Sequence, residues 1–238
     1  MARPASIRFS ALWLAAAVSP SLFSAPPPAF LQAARDRQDR AGLQRIVDES
    51  AAAAAKAPQD ADTQYQMALA SSYLAEVALE VGDKKLAQQT AERGVKAAEQ
   101  AVALQPREAE YYRVLGTLCG QIVPANVLAG LGYAKRARDA IDKAVSLDPK
   151  SSMAYMARGV GNYYVPSALG GGFDLAVADF RKALELDSKN ADAWLWLGMA
   201  LRKQNKNADA RQAFSKSLEL NPGRNWTRQQ LEKTATTP

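Results

Sequence analysis

Ala176-Val-Ala-Asp-Phe180-Arg-Lys-Ala183-Leu184-Glu-Leu186-Asp-Ser188 and Ala210-Arg-Gln-Ala-Phe214-Ser-Lys-Ser217-Leu218-Glu-Leu220-Asn-Pro222 are two copies of one pattern, 34 residues apart. A third copy is Ala137-x3-Ile141-x2-Ala144-Val145-x-Leu147-Asp148-Pro149, and a fainter one is Ala98-x2-Ala101-Val102-x-Leu104-Gln105-Pro106. A last trace is Ala53-Ala54 with Pro58. The spacings i, i+3, i+4 and i+7 put the apolar residues on one helical face. Proline then ends each helix, because it lacks an N–H and keeps its predecessor out of the helical region.

Each of these helices follows another. The clearest is Trp194-x2-Leu197-Gly198-x2-Leu201. A mid-helix glycine costs about 1 kcal/mol against alanine. Close approach of two antiparallel helices repays it, which predicts the facing pairs Gly198 with Ala210, Gly159 with Ala176 and Gly116 with Ala137.

Trp194, Leu197, Gly198, Ala210, Phe214 and Pro222 resemble the tetratricopeptide repeat pattern, with Leu201 where a tyrosine is usual. Two upstream units resemble it less tightly. One has Tyr155 and Gly159 with Ala176, Phe180 and Ala183. The other has Tyr112, Leu115 and Gly116 with Ala137, Ile141, Ala144 and Pro149. The resemblance covers most of residues 60–222 and implies an all-α, right-handed solenoid of helical hairpins. The division expected is a leader at 1–24, a Pro-rich spacer and helical half-unit at 25–61, and a divergent hairpin at 62–106. Three repeat-like hairpins follow at 107–223, then a capping helix and loose tail at 224–238.

The terminators at 58, 106, 149, 188 and 222 lie 48, 43, 39 and 34 residues apart, so the earlier units carry extra residues. In the two middle units these are expected as loops between the paired helices, at Val123–Tyr133 and Val165–Phe173. Both begin Val-Pro, continue through small and apolar residues to glycines, and end on an aromatic. The fourth unit from the end has two longer helices hinged at Gly82-Asp83.

The first 24 residues read as an address. Arg3 and Arg8 precede the apolar run Ala11–Val18, which ends before Pro20. That is the layout of a secretory leader, cleaved between Ser21 and Ala25, and the run is far shorter than the roughly 20 residues a membrane span needs. The expected location is the periplasm or outside the cell. The chain is not expected to span a membrane.

The 238 residues contain no histidine and one cysteine, Cys119. This excludes His-based triads, His- or Cys-ligated metal centres and disulfides within the chain. Cys119 lies in the apolar stretch Val114–Gly120 and is expected in the core. Gly170-Gly171-Gly172 has no following Gly-Lys-Ser/Thr and no preceding strand, so it is no phosphate cradle. The acidic residues sit mostly at helix ends or on polar faces. No enzyme, cofactor or metal is expected, and no nucleic-acid motif is present.

In this family partners lie on the concave side, lined by the first helix of each pair. The candidates are Arg113, Thr117 and Gln121, then Met156, Val160, Tyr163 and Tyr164, then Leu195, Met199, Arg202 and Lys203. The partner-binding set expected to carry function is Arg113, Gln121, Met156, Tyr163, Tyr164, Arg202 and Lys203. This composition suits a peptide with apolar anchors and some acidic residues. Packing of Tyr163, Tyr164 and Met156 under the Val165–Phe173 loop is the competing reading. The carboxylate clamp found in chaperone-binding repeats is missing: the corresponding positions hold Arg113, Thr117, Ala157, Asp192 and Trp196.

Net charge is +6 and rises along the chain, from −2 over residues 25–106 to +2 over 107–190 and +4 over 191–238. The function expected is an exported, non-enzymatic module binding a protein or peptide. A small-ligand carrier with the twin loops as lids, and a self-associating scaffold, are the alternatives.

Overall fold

The computed structural model describes residues 29–235, and the side chains of 127–131 are outside that description. The leader expected at 1–24 lies outside the described residues.

Eleven α-helices and no strand occur among the described residues. They are α1 (Ala29–Asp36), α2 (Arg40–Lys56), α3 (Ala61–Glu80), α4 (Lys84–Leu104), α5 (Ala109–Ala125) and α6 (Val127–Leu147). Then follow α7 (Ser152–Tyr164), α8 (Phe173–Leu186), α9 (Ala191–Lys203), α10 (Asn207–Leu220) and α11 (Asn225–Glu232). Five antiparallel hairpins result, α1/α2 to α9/α10, with α11 packed on α10. The first helices also pack on one another in order: α1 on α3, α3 on α5, α5 on α7, α7 on α9. The all-α solenoid read from the repeats is the observed fold.

Local chemistry sets the helix starts. Asp39, Asp60, Asp83, Ser151 and Asn190 each accept a backbone N–H from the first turn of the helix they precede. Such a cap is worth about 1 kcal/mol. Gly82 takes φ +84 in the α3–α4 turn, a left-handed conformation that suits glycine.

The structure corrects three expectations. The residues 123–133 form no loop: α5 runs through Pro124 to Ala125, Asn126 alone turns the chain, and α6 starts at Val127. Proline has no N–H for the carbonyl four residues back and its ring crowds that turn, and α5 ends one residue after it, at Ala125. The other expected loop is observed over 165–172, with a 3-10 turn at Ser167–Leu169, and Phe173 already starts α8. Next, the mid-helix glycines Gly198 and Gly159 face rings. A Cβ on Gly198 would fall 2.7 Å from the Phe214 ring, and one on Gly159 would fall 2.6 Å from Phe180. For Gly116 the nearest atoms are the Ile141 side chain and then the expected backbone, Ala137 O, 2.9 Å away. Finally, Thr234 is buried, with its hydroxyl donating to Gln230 O, so the tail is held up to that point.

The apolar interior is split. One cluster runs from Leu31 to Ile122 and fills the N-terminal half. A second runs from Met156 to Trp226 and fills the C-terminal half. The two halves meet along the chain where α5 and α6 pack on α7.

Candidate functional site: the inner row of helices and its seam

The first helices form the inner row. Its first member, α1, reaches its last, α9. Arg35 Nη1 on α1 donates to Asp192 Oδ2 at the start of α9, 2.7 Å away and 157 residues along the chain. The row therefore curves until its ends meet.

This closing seam is built from charge. Arg224, in the α10–α11 connection, is almost completely buried. Its guanidinium donates to Glu76 Oε1 at 2.6 Å, and to both oxygens of Glu80, on α3. Its Nε has no hydrogen-bond acceptor and lies 3.8 Å from both Asp36 and Asp192. The guanidinium also sits 5.6 Å from the Trp226 ring centre. Arg35 pairs with Asp36 at 2.8 Å and lies over the Tyr73 ring. Asn221 donates to Asp36, Gln38 to Glu80, Gln229 to Gln38, and Asn225 to Arg37 O. Four carboxylates thus face two guanidiniums.

Burial and the neighbouring guanidiniums act on these groups in opposite senses. It pushes the Glu80 carboxyl up to about 7; Arg224 pulls it down, and the neighbouring Glu76 adds to the rise. Burial would also raise Asp192, but Arg35 and Arg224 outweigh it and hold that carboxyl below its ordinary range. Burial raises the Tyr73 hydroxyl to about 12, against the pull of Arg35.

Beside the seam stands an aromatic cluster. Tyr163 and Tyr164 end α7, and their ring centres are 5.1 Å apart. Trp196 on α9 lies 5.6 Å from Tyr163, 6.1 Å from Tyr164 and 5.3 Å from Trp226 on α11. Phe173 closes on Tyr163 at 5.4 Å. Tyr164 remains 49% exposed, the most open ring of the group. Burial, then Tyr163, Glu76 and Glu80, push its hydroxyl up to about 12, so the seam carboxylates are its electrostatic neighbours.

The residues proposed from sequence fall in different settings. Arg113 is buried and paired with Glu110 one turn away, so its charge is already matched. Gln121 donates its amide to Ser72 O, and its Oε1 has no partner. Met156 is buried against the C-terminal cluster. Tyr163 contacts Phe173 just after the 165–172 loop, while Tyr164 stays open. Arg202 donates to Gln230 O, Gln230 Oε1 and Thr234 Oγ1, tying α9 to the C-terminal cap. Lys203 is exposed. Leu195 and Met199 are buried.

Sequence reasoning missed Arg35, Asp36, Glu76, Glu80 and Arg224. Their hydrogen bonds across the seam join residues 144 to 185 positions apart, which no local spacing reports. One signal was present: Glu76 and Glu80 stand one turn apart and are the only charged residues of α3 after Asp62 in its first turn.

Two open clefts lie apart from the seam. One, of about 600 Å³, is lined by Arg93, Lys96, Arg136, Glu92, Glu99 and Tyr133. The other, of about 380 Å³, includes Arg181, Trp194, Leu201, Asp209 and Lys216. Among the described residues no group of three His, Cys, Asp or Glu is placed to hold a metal ion. No helix among them is long and apolar enough to cross a membrane.

Comparison with known proteins gives two family matches. The family model described as regulator of microtubule dynamics protein 1-3 matches residues 29–168. A tetratricopeptide repeat model matches residues 170–225. No curated protein matches the chain. Among solved structures, TTC0263, a thermophilic TPR protein of Thermus thermophilus, is similar over 82% of this chain and 91% of its own. Its identity is 20% and the TM-score 0.61, which shows a shared fold. MamA is similar at 18% identity over 78% of this chain and 92% of its own, with a TM-score of 0.43.

Proposed function

The chain belongs to the regulator of microtubule dynamics protein 1-3 family, with a tetratricopeptide-type C-terminal part, and from that premise we propose that it is an exported, non-catalytic protein-interaction module. It takes a segment of a protein partner on the inner row of helices, beside Tyr163, Tyr164 and Trp196. The observation that carries this reading is the half-exposed Tyr164 within a cluster of aromatic rings. Large rings whose rotamers are fixed by packing offer contact area at low entropic cost.

The family's description names microtubule dynamics. The leader read at residues 1–24 would carry this chain out of the compartment that holds microtubules, so the feature taken from the family is the scaffold and not that partner. Arg113 and Arg202 are engaged within the chain, which removes two of the three cations expected to meet an acidic peptide.

Affinity capture tests the reading. The immobilised chain, beginning at Ala25, is exposed to envelope extract alongside a Tyr163→Ala/Tyr164→Ala variant of matched helical content. A protein held by the first and lost by the second supports recognition on the inner row. Equal retention moves the site elsewhere, and no retention removes the reading.

A further inference from the structure

One joint of the inner row is made through charge. The joint between α1 with α3 and α9 with α11 is made of Arg35, Asp36, Glu76, Glu80, Asp192 and Arg224. Each half of the molecule keeps its own apolar cluster. Parting the joint would therefore open neither core. It would expose the inner wall where Tyr163, Tyr164 and Trp196 stand.

The charges at the joint do not balance. Two guanidiniums face four carboxylates, and Arg224 enters from a connection between helices rather than from a helix body. A buried ion network is close to break-even against other ways of satisfying the same groups. Exchange of one guanidinium for another among the same carboxylates is then nearly neutral. What favours Arg224 is its attachment, which gives it an effective concentration in the range of about 1 mM or more.

The geometry points to Arg224 as an intramolecular stand-in for a partner's arginine or lysine: the seam is a latch, and a cationic segment of a partner opens it by taking Arg224's place among Asp36, Glu76, Glu80 and Asp192. Contacts to Tyr164 and Trp196 beside the vacated position supply the extra affinity needed to outcompete the tethered residue, with cation–π attraction for the incoming charge. The inference rests on the interaction reading above. It changes the expected partner from an acidic peptide to a basic one.

The test needs no partner in hand. Spin labels at Gln32→Cys on α1 and Lys233→Cys after α11, both exposed positions, report the seam as a distance. Cys119 is fully buried and stays unlabelled. The probe is a synthetic peptide with the sequence of residues 220–230, and its control carries Met in place of the arginine of position 224. In the Arg224→Met variant the latch lacks its own cation. Expected are a second, longer distance with unchanged helical content, and peptide binding about tenfold or more tighter than to the wild type. The control peptide should not bind. A single unchanged distance in the variant, or equal binding of both peptides, overturns the latch. If Arg224→Met does not fold, Asn221→Ala, which removes only a neutral donor to Asp36, takes its place, and an unmoved distance distribution there also overturns it. A failed latch leaves the capture experiment standing, and a failed capture leaves the distance measurement standing.

Discussion

At the scale of the residue, Gly198 shows how a small side chain decides a packing. A Cβ there would sit 2.7 Å from the Phe214 ring, closer than carbon atoms approach. Alanine would gain about 1 kcal/mol of helix propensity but would force a fully buried ring to shift, at about 1–3 kcal/mol. Gly198→Ala should therefore destabilise the protein by about 1 kcal/mol, read as a lower urea midpoint at unchanged slope. An unchanged or raised midpoint would mean that the ring moves freely. The glycine's importance was legible in the sequence; its neighbour was not, because the periodicity gives the face of a helix but not the rotamer that fills it. Cys119 was legible outright, from its apolar flanks. Burial pushes its thiol up to about 11, so in the native protein it should stay unmodified by iodoacetamide at about pH 8 and react only on unfolding. Rapid native labelling would show that α5 opens locally.

The element that finishes the solenoid is α11. Trp226 packs in the C-terminal cluster and against Trp196. Arg202 and Arg211 reach from α9 and α10 to the backbone carbonyls of Gln230, Leu231 and Thr234, at and just past the end of α11. The cap is thus fastened by one ring and two guanidiniums. Trp226→Ala should cost about 3–5 kcal/mol, read in denaturant, because the vacated ring also leaves Arg224 without a wall. A loss under about 1 kcal/mol would mean that α11 is an appendage. The caps Asp60 and Asn190 are local signals, but no helix start was read from them in the sequence. The α5–α6 turn was not legible either: Pro124 does mark the end of α5, but the residues after it, which read as loop, start α6 at Val127.

Across the whole molecule, closure of the row is the feature least visible in the sequence and the one with a clear pH signature. Arg35 and Arg224 look like members of scattered surface charge until folding sets them beside acids more than 140 positions away. The group that reports this is Glu80, faced by Arg224 from the α10–α11 connection, Glu76 from its own helix, Gln38 after α1, and Tyr164 at the end of α7. Its folded pKa, about 7, stands above the ordinary carboxyl value of 4.5. The folded state then binds the proton more tightly than the unfolded chain does. Its contribution is full below about pH 4.5 and is lost as pH rises through about 7. Asp192 runs the other way: its carboxyl is held low, and its contribution is lost only as pH falls below the carboxylate range. The melting temperature should therefore be higher near about pH 5.5 than near about pH 8, by several degrees. Glu80→Gln imitates the protonated carboxyl and should flatten that fall, whereas Glu49→Gln, an exposed change on α2, should leave it. A wild-type melting temperature that rises from about pH 5.5 to about pH 8 would mean that Glu80 is ionised throughout.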